Sequence, residues 1–197
     1  DQLVYGGHVH CSPGSLESMR DRTVTINGLS KTFAATGWRI GWTCAPGSGG
    51  AIVKAMSKLQ SQMTSSVTSF TLPAVEVALR DGWDEAARMH DIFEKRAHQM
   101  YDYVSAWPGI TCSEPMGAFY VFPDVSSTFG RTTASGAAID GAGGFASALL
   151  EETGVAVVPG DDFLGCGPRH VRLSFALDEA AIDTGCVRIG QWLAELR

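Results

Sequence analysis

Positive charge is the scarcer sign in this chain: 15 Lys and Arg stand against 21 Asp and Glu, a formal net charge of −6 at pH 7. A basic field that would draw nucleic-acid phosphates or anionic lipid is missing, so neither nucleic acid nor a membrane is expected as a partner. Long apolar runs are missing too. No stretch approaches the roughly 20 residues a spanning helix needs, and the opening residues, DQLVYGGHVH, lack the basic-then-apolar order of a secretory signal. Cysteines are few, odd in number and scattered. Cys11, Cys44, Cys112, Cys166 and Cys186 contain no C-x-x-C pair, which argues against a disulfide framework or a zinc site and for a reducing, cytoplasmic setting. His8 and His10 share a face if their segment is extended, but no third ligand accompanies them and no metal is expected. What is present, 45% hydrophobic residues in 197, suffices for a buried core.

The local patterns alternate strand and helix. TVTING (23–28) reads as a short strand left through a loop, LSKTF, and RIGWTCAP as a second strand closed by Pro46-Gly47. Ile52, Val53, Met56, Leu59 and Met63 then recur at helical spacing, with Ser48 a possible N-cap, and Pro73 suits the first turn of a helix that stops near Gly82. From Asp84 to Trp107 the apolar positions Met89, Ile92, Phe93, Ala97, Met100, Tyr101 and Val104 describe a long amphipathic helix ended by Pro108-Gly109, of the kind that links two domains. GITCSE and GAFYVFPD read as a strand pair. SSTFGRTTASGAAIDGAGG reads as an exposed excursion, whose GAGGF lacks the Lys-Ser/Thr of a phosphate loop. A helix ending on Gly154, strands VAVVPG and RHVRLSFA, and a final helix capped by Asp178 complete an α/β architecture, with a domain boundary expected near residue 82.

Within NGLSKTFAATGWRIGW (27–42) only Lys31 and Arg39 are charged. A lysine is nucleophilic only when its amine is deprotonated, which apolar surroundings or a neighbouring cation promote. An arginine eight residues on offers a planar fork for a phosphate or carboxylate. Together they suit an aldehyde cofactor with an anionic tail; on spacing alone, a solvated loop lysine and a structural arginine are the commoner arrangement.

The segment SKTFAATGWRIGW resembles the cofactor-lysine segment of class I aminotransferases, the fold type I enzymes that use pyridoxal 5'-phosphate (PLP). The likeness continues through KLQSQMTSSVTSF, GAFYVFPDVSSTFG, VAVVPGDDF and HVRLSFA, in order along essentially the whole chain, and is nearest to bacterial aspartate aminotransferases of the Ib subgroup. The resemblance implies the C-terminal portion of that fold: residues 1–82 as the end of the large PLP-binding domain, and 83–197 as the interdomain helix and small α/β domain. It implies that Lys31 forms the Schiff base with PLP and shuttles the substrate α-proton, that Arg39 neutralises the cofactor phosphate with Ser30 adding a hydroxyl, and that Arg172 grips the substrate α-carboxylate. Arg169 and His170 read as loop charges. Many relatives carry a phosphate-binding serine three residues before the lysine, where this chain has Gly28.

The reaction so implied moves an amino group between an L-amino acid, aspartate, and 2-oxoglutarate, in a homodimer with shared active sites. The family's D-E-x-Y motif, glycine-rich phosphate loop and ring-stacking aromatic have no counterpart here, and Asp1 is not the expected partner of the pyridine nitrogen. The chain alone is therefore expected to be a poor catalyst. A lyase or acyltransferase on the same fold, and a non-catalytic effector-binding module, remain as alternatives.

Overall fold

The computed structural model describes residues 1–47, 50–163 and 167–197. The Ser48 cap and Cys166 lie outside the described residues. The chain divides into two compact units, Asp1–His90 and Asp91–Arg197, and the division falls inside a helix.

In the first unit, strands β1 (Thr25–Gly28) and β2 (Gly41–Cys44) form an antiparallel ribbon in the register Thr25↔Cys44 to Gly28↔Gly41. The β-branched residues of TVTI favour extension. The paired glycines let the backbones close: a Cβ on Gly41 would lie 2.7 Å from the Asn27 carbonyl oxygen. LSKTF is not a loop. Leu29–Thr32 turns at once into a short helix, α1, anchored by buried Leu29, whose N–H donates to the Ile40 carbonyl across the ribbon. Helices α2 (Ala51–Met63) and α3 (Leu72–Asp81) follow, α3 with its proline in the first turn and Gly82 closing it. The apolar residues of α2 fall at the expected spacing, yet every residue of that helix is exposed, including Leu59 at 64% and Met63 at 78%. The buried apolar side chains of this unit are few: Tyr5, Leu29, Ile40 and Ala86.

Helix α4 (Trp83–Ala106) runs from the first unit into the second, where Ala97, Met100 and Val104 are buried at the helical spacing of three and four. Strands β3 (Tyr120–Val121), β4 (Val158–Pro159) and β5 (Val171–Ser174) make an antiparallel sheet in the order β3-β5-β4. Its inner face presents Val121, Val171 and Leu173 to a core completed by Phe145 and Leu149 of α5 (Ala142–Thr153) and by Ile182, Ile189, Trp192 and Leu193 of α6 (Glu179–Glu195). Gly154, at φ 72°, closes α5, and the Asp178 carboxylate caps α6 by accepting from the Ala181 N–H at 2.8 Å. Along one face of α4, Lys95 pairs with Glu179, and Gln99 and Tyr103 donate to Asp183, tying α4 to α6.

Two expectations are corrected here. GITCSE is no strand: Thr111 makes only an isolated bridge to Asp124, and the prolines at 115 and 123, which cannot donate to a ladder, hold β3 to two residues. The stretch after Ser126 is an exposed excursion only in part: residues 134–138 are exposed, but the segment is pinned on both sides of them. Thr128, Thr133 and Ile139 are buried, Gly130 and Ile139 donate to Ile139 and Arg131 carbonyls, and Thr132 exchanges both backbone bonds with Arg197. Backbone pairing and three inward side chains satisfy a segment whose small, polar composition reads as loop.

Candidate functional site

Lys31 sits in the single turn of α1, immediately beyond the end of β1, and Arg39 two residues before β2 begins. The ribbon register therefore brings the two short segments that carry them to the same end of one hairpin. Arg39 is not a strand residue as expected: it occupies the left-handed region at φ 55° and ψ 45°, and its Nη1 donates to the Thr36 carbonyl at 2.9 Å. Ala34 is also left-handed, at φ 51°. Two non-glycine residues in that region within one short connection mark a backbone held in shape by its surroundings. Ser30 is half-buried, whereas Lys31 and Arg39 are exposed, so this unit alone does not supply the dry setting expected around the lysine. Gly28 answers structurally for its place before the lysine, because a Cβ there would approach the Ile40 carbonyl oxygen at 3.1 Å. The carboxylate of Asp1 accepts from the Asn27 side-chain amide at 2.7 Å.

Two pockets flank α1, of about 170 and 440 Å³, lined mainly by Leu29, Phe33, Trp38, Ile40, Trp42 and Val75. Neither Lys31 nor Arg39 is on their walls. They are packing surface rather than a place for charged chemistry.

Arg172 belongs to the second unit, on central strand β5, where its side chain takes the face opposite buried Val171 and Leu173. Its guanidinium carbon lies 4.3 Å from the centre of the Tyr120 ring and 4.7 Å from that of Phe163. Among the described residues no hydrogen bond or ion pair takes up its donors. Neither aromatic residue was singled out from the sequence; the usable signal was the alternation Tyr120, Phe122 opposite His170, Arg172. Arg169 and His170 are not idle loop charges. Arg169 pairs with Asp124 at 2.7 Å and His170 stacks on Phe122 with ring centres 5.0 Å apart. Burial pushes the Asp124 carboxyl up, but the hydrogen bonds of Ser126 and the charges of Arg169 and His170 outweigh it and hold the group below the usual carboxylate range.

In the first unit, a primary amine at Lys31, the adjacent Ser30 hydroxyl and a permanently charged guanidinium at Arg39 are the donor types that suit an aldehyde carrying a phosphate; in the second unit, taken by itself, Arg172 offers unclaimed donors that suit a carboxylate. A profile of the family described as aminotransferase class I and II matches residues 2–189. The chain belongs to this family. Its fold is that of the pyridoxal-phosphate-dependent class I aminotransferases, an α/β fold of type I, and the family depends on that cofactor. The chain is 39% identical over 197 residues to the aspartate/prephenate aminotransferase of Cereibacter sphaeroides, covering all of this chain and 48% of that protein. It is 39% identical over 194 residues to the aspartate aminotransferase of Geobacillus stearothermophilus, covering 98% and 47%. The crystal structure of the aspartate aminotransferase from Rhizobium meliloti superposes with a TM-score of 0.92 at 36% identity, over all of this chain and 48% of that one. The chain thus spans about half the length of the aminotransferases it matches.

Proposed function

We propose that this chain carries the lysine-and-arginine half of a PLP-dependent aminotransferase that moves an amino group between an L-amino acid, aspartate, and 2-oxoglutarate. The observation that carries this reading is the β1–β2 register, which sets the amine of Lys31 and the guanidinium of Arg39 on segments leaving the same end of one ribbon. Bound, the cofactor supplies an electron sink for the pair left behind when a bond at the substrate α-carbon breaks. Lys31 would hold the cofactor covalently through Nζ and, once that amine is freed by substrate, would take the proton from the substrate α-carbon and deliver it to the cofactor C4′ atom, acting as base and then as acid. Arg39 would neutralise the phosphate with a charge that does not titrate, Ser30 would add a hydroxyl donor, and Arg172 would clamp the α-carboxylate through two parallel N–H···O bonds. That clamp fixes the direction of the C–H bond to be broken.

Residues 1–82 then form the end of the large cofactor-binding domain, and 83–197 the interdomain helix and small domain, of a cytoplasmic homodimer with shared active sites. The exposure of Lys31, together with the uncovered apolar side chains of α2, fits a surface that the remaining half of the fold and a second subunit enclose. Aspartate as substrate rests on the names of the relatives from C. sphaeroides and G. stearothermophilus.

Loading the full-length protein with PLP, reducing it with borohydride and mapping the modified peptide should place the label on Lys31. A label on another lysine ends the assignment. Formation of pyridoxamine phosphate that depends on aspartate, and its reversal by 2-oxoglutarate, separates this activity from a lyase, which needs no amino acceptor. The exposure of Lys31 also favours a second reading, a non-catalytic aminotransferase-like module, and a complete lack of label would decide for it.

A further inference from the structure

Arg172 is held by faces, not by edges. The guanidinium carbon lies over the Tyr120 ring at 4.3 Å and over the Phe163 ring at 4.7 Å from their centres, both inside the roughly 6 Å over which a cation is drawn to a ring. A guanidinium is flat and its five N–H bonds lie in its plane. Two ring faces this close to the guanidinium carbon restrain rotation of the fork while leaving its donor rim open. No acceptor among the described residues occupies that rim.

Each ring is itself fixed. Tyr120 pairs with Ser174 on β5, which puts it on the face of Arg172 at the neighbouring diagonal position. Phe163 comes from the turn after β4. Gly160 ties that turn to the start of β5 by donating to the His170 carbonyl at 2.7 Å, and the Phe163 N–H donates back to Gly160 at 2.9 Å. Phe122 meets the Phe163 ring edge-on, at 5.9 Å and 90°, and is itself stacked against His170. The result is a continuous row, His170, Phe122, Phe163, Arg172, Tyr120, along the outer face of the sheet.

We infer that Tyr120 and Phe163 are positioning residues for Arg172: they set the plane of its fork so that a carboxylate arriving in that plane meets two parallel N–H donors. The inference rests on the reading of Arg172 as the carboxylate group. It goes further in assigning the geometry of that contact to two aromatic faces, so that ring area at these positions, rather than the Tyr120 hydroxyl, governs affinity.

The test uses the 197-residue chain labelled with ¹⁵N-arginine, the Arg172 Nε–H signal being identified by its loss in Arg172→Lys, and sodium propionate as the carboxylate probe. In the unsubstituted chain the signal should be displaced by the ring currents and should move on titration. Tyr120→Leu and Phe163→Leu keep apolar bulk but lose the ring; each should return the signal toward the position of a free arginine and weaken propionate by about fivefold or more, the scale of a partly desolvated cation–ring contact. Tyr120→Phe should stay within about twofold of the unsubstituted chain, since the face is retained. If the chain binds propionate through Arg172 and both leucine variants bind it equally well, the inference is overturned and the carboxylate role stands. If the Arg172 signal of the unsubstituted chain ignores propionate, the carboxylate role falls and the inference with it. Unchanged Nε–H signals of Arg131 and Arg188, which are bonded to the Leu196 and Thr153 carbonyls of the same unit, certify that each variant is folded.

Discussion

Replacing Gly160 by alanine puts a single methyl group where there is no room for one. A Cβ at this buried position would stand 2.6 Å from the His170 carbonyl oxygen and 2.7 Å from that of Gly167, and both are backbone atoms that cannot swing aside as a side chain can. Overpacking of this kind costs about 1–3 kcal/mol, and stretching the Gly160 to His170 hydrogen bond adds about 1 more. A loss of roughly 2–4 kcal/mol is a large part of the stability of a unit the size of Asp91–Arg197, and at about 4–6 °C per kcal/mol it lowers the midpoint by roughly 10–20 °C. Gly185 provides the control. It lies in the interior of α6 with nothing within 4 Å of a built Cβ, so Gly185→Ala should raise stability by about 0.5–1 kcal/mol through helix propensity. Thermal unfolding by circular dichroism gives the midpoints, and exchange of the α5 and α6 amides assigns the change to this unit. The Arg172 Nε–H signal should move in Gly160→Ala, because Phe163 hangs from the displaced turn, and stay fixed in Gly185→Ala. Equal effects of the two alanines on stability, or a Gly160→Ala chain as stable as its parent, would refute the reasoning.

Three further outcomes follow from burial and charge. Hydrogen exchange should be fast along α2, a helix of 13 residues with none buried, and slow along α6; comparable protection of the two would mean that α2 is covered in the isolated chain. The Cys186 thiol is 2% exposed and is pushed up to about 12, first by burial and then by the charge of Asp183, so iodoacetamide at pH 8 should alkylate exposed Cys11 and Cys44 but reach Cys186 only after denaturation, as peptide mapping will show. The folded-state pKa of Asp124 is depressed, so the unfolded chain binds the extra proton: its contribution to stability is complete above the ordinary value of 3.8 and is lost as pH falls through the lower folded value. Asp124→Asn should accordingly lower stability at pH 7 and flatten its acid limb below the ordinary value of 3.8 in urea titrations, and an unchanged acid limb would count against the Asp124, Arg169 and His170 cluster.

The order of elements could be read from periodicity and punctuation because both express forces that act over a few residues. Threonines and an isoleucine at 23–26 favour extension, Pro73 and Gly82 bracket α3, Asp178 and Gly154 terminate helices, and the motif around Lys31 and Arg39 stands out by its charge in an otherwise neutral run. Burial was less legible. The stripe on α2 has the spacing of a core face and is exposed, whereas Thr133 and Ile139 in a glycine- and alanine-rich stretch are inside; spacing tells which side chains share a face, not what lies across from it.

Local chemistry thus settles that Lys31 and Arg39 are the lone charges between two strand-forming runs, and that Arg172 stands between two apolar neighbours in a third. Folding alone adds the left-handed turn at Arg39, the pairing of Gly28 with Gly41, and the two rings that close on Arg172 from residues 52 positions before it on β3 and nine before it on the turn after β4. Such contacts join residues distant along the chain, and their geometry depends on sheet register and backbone clearance, which no short window of sequence contains.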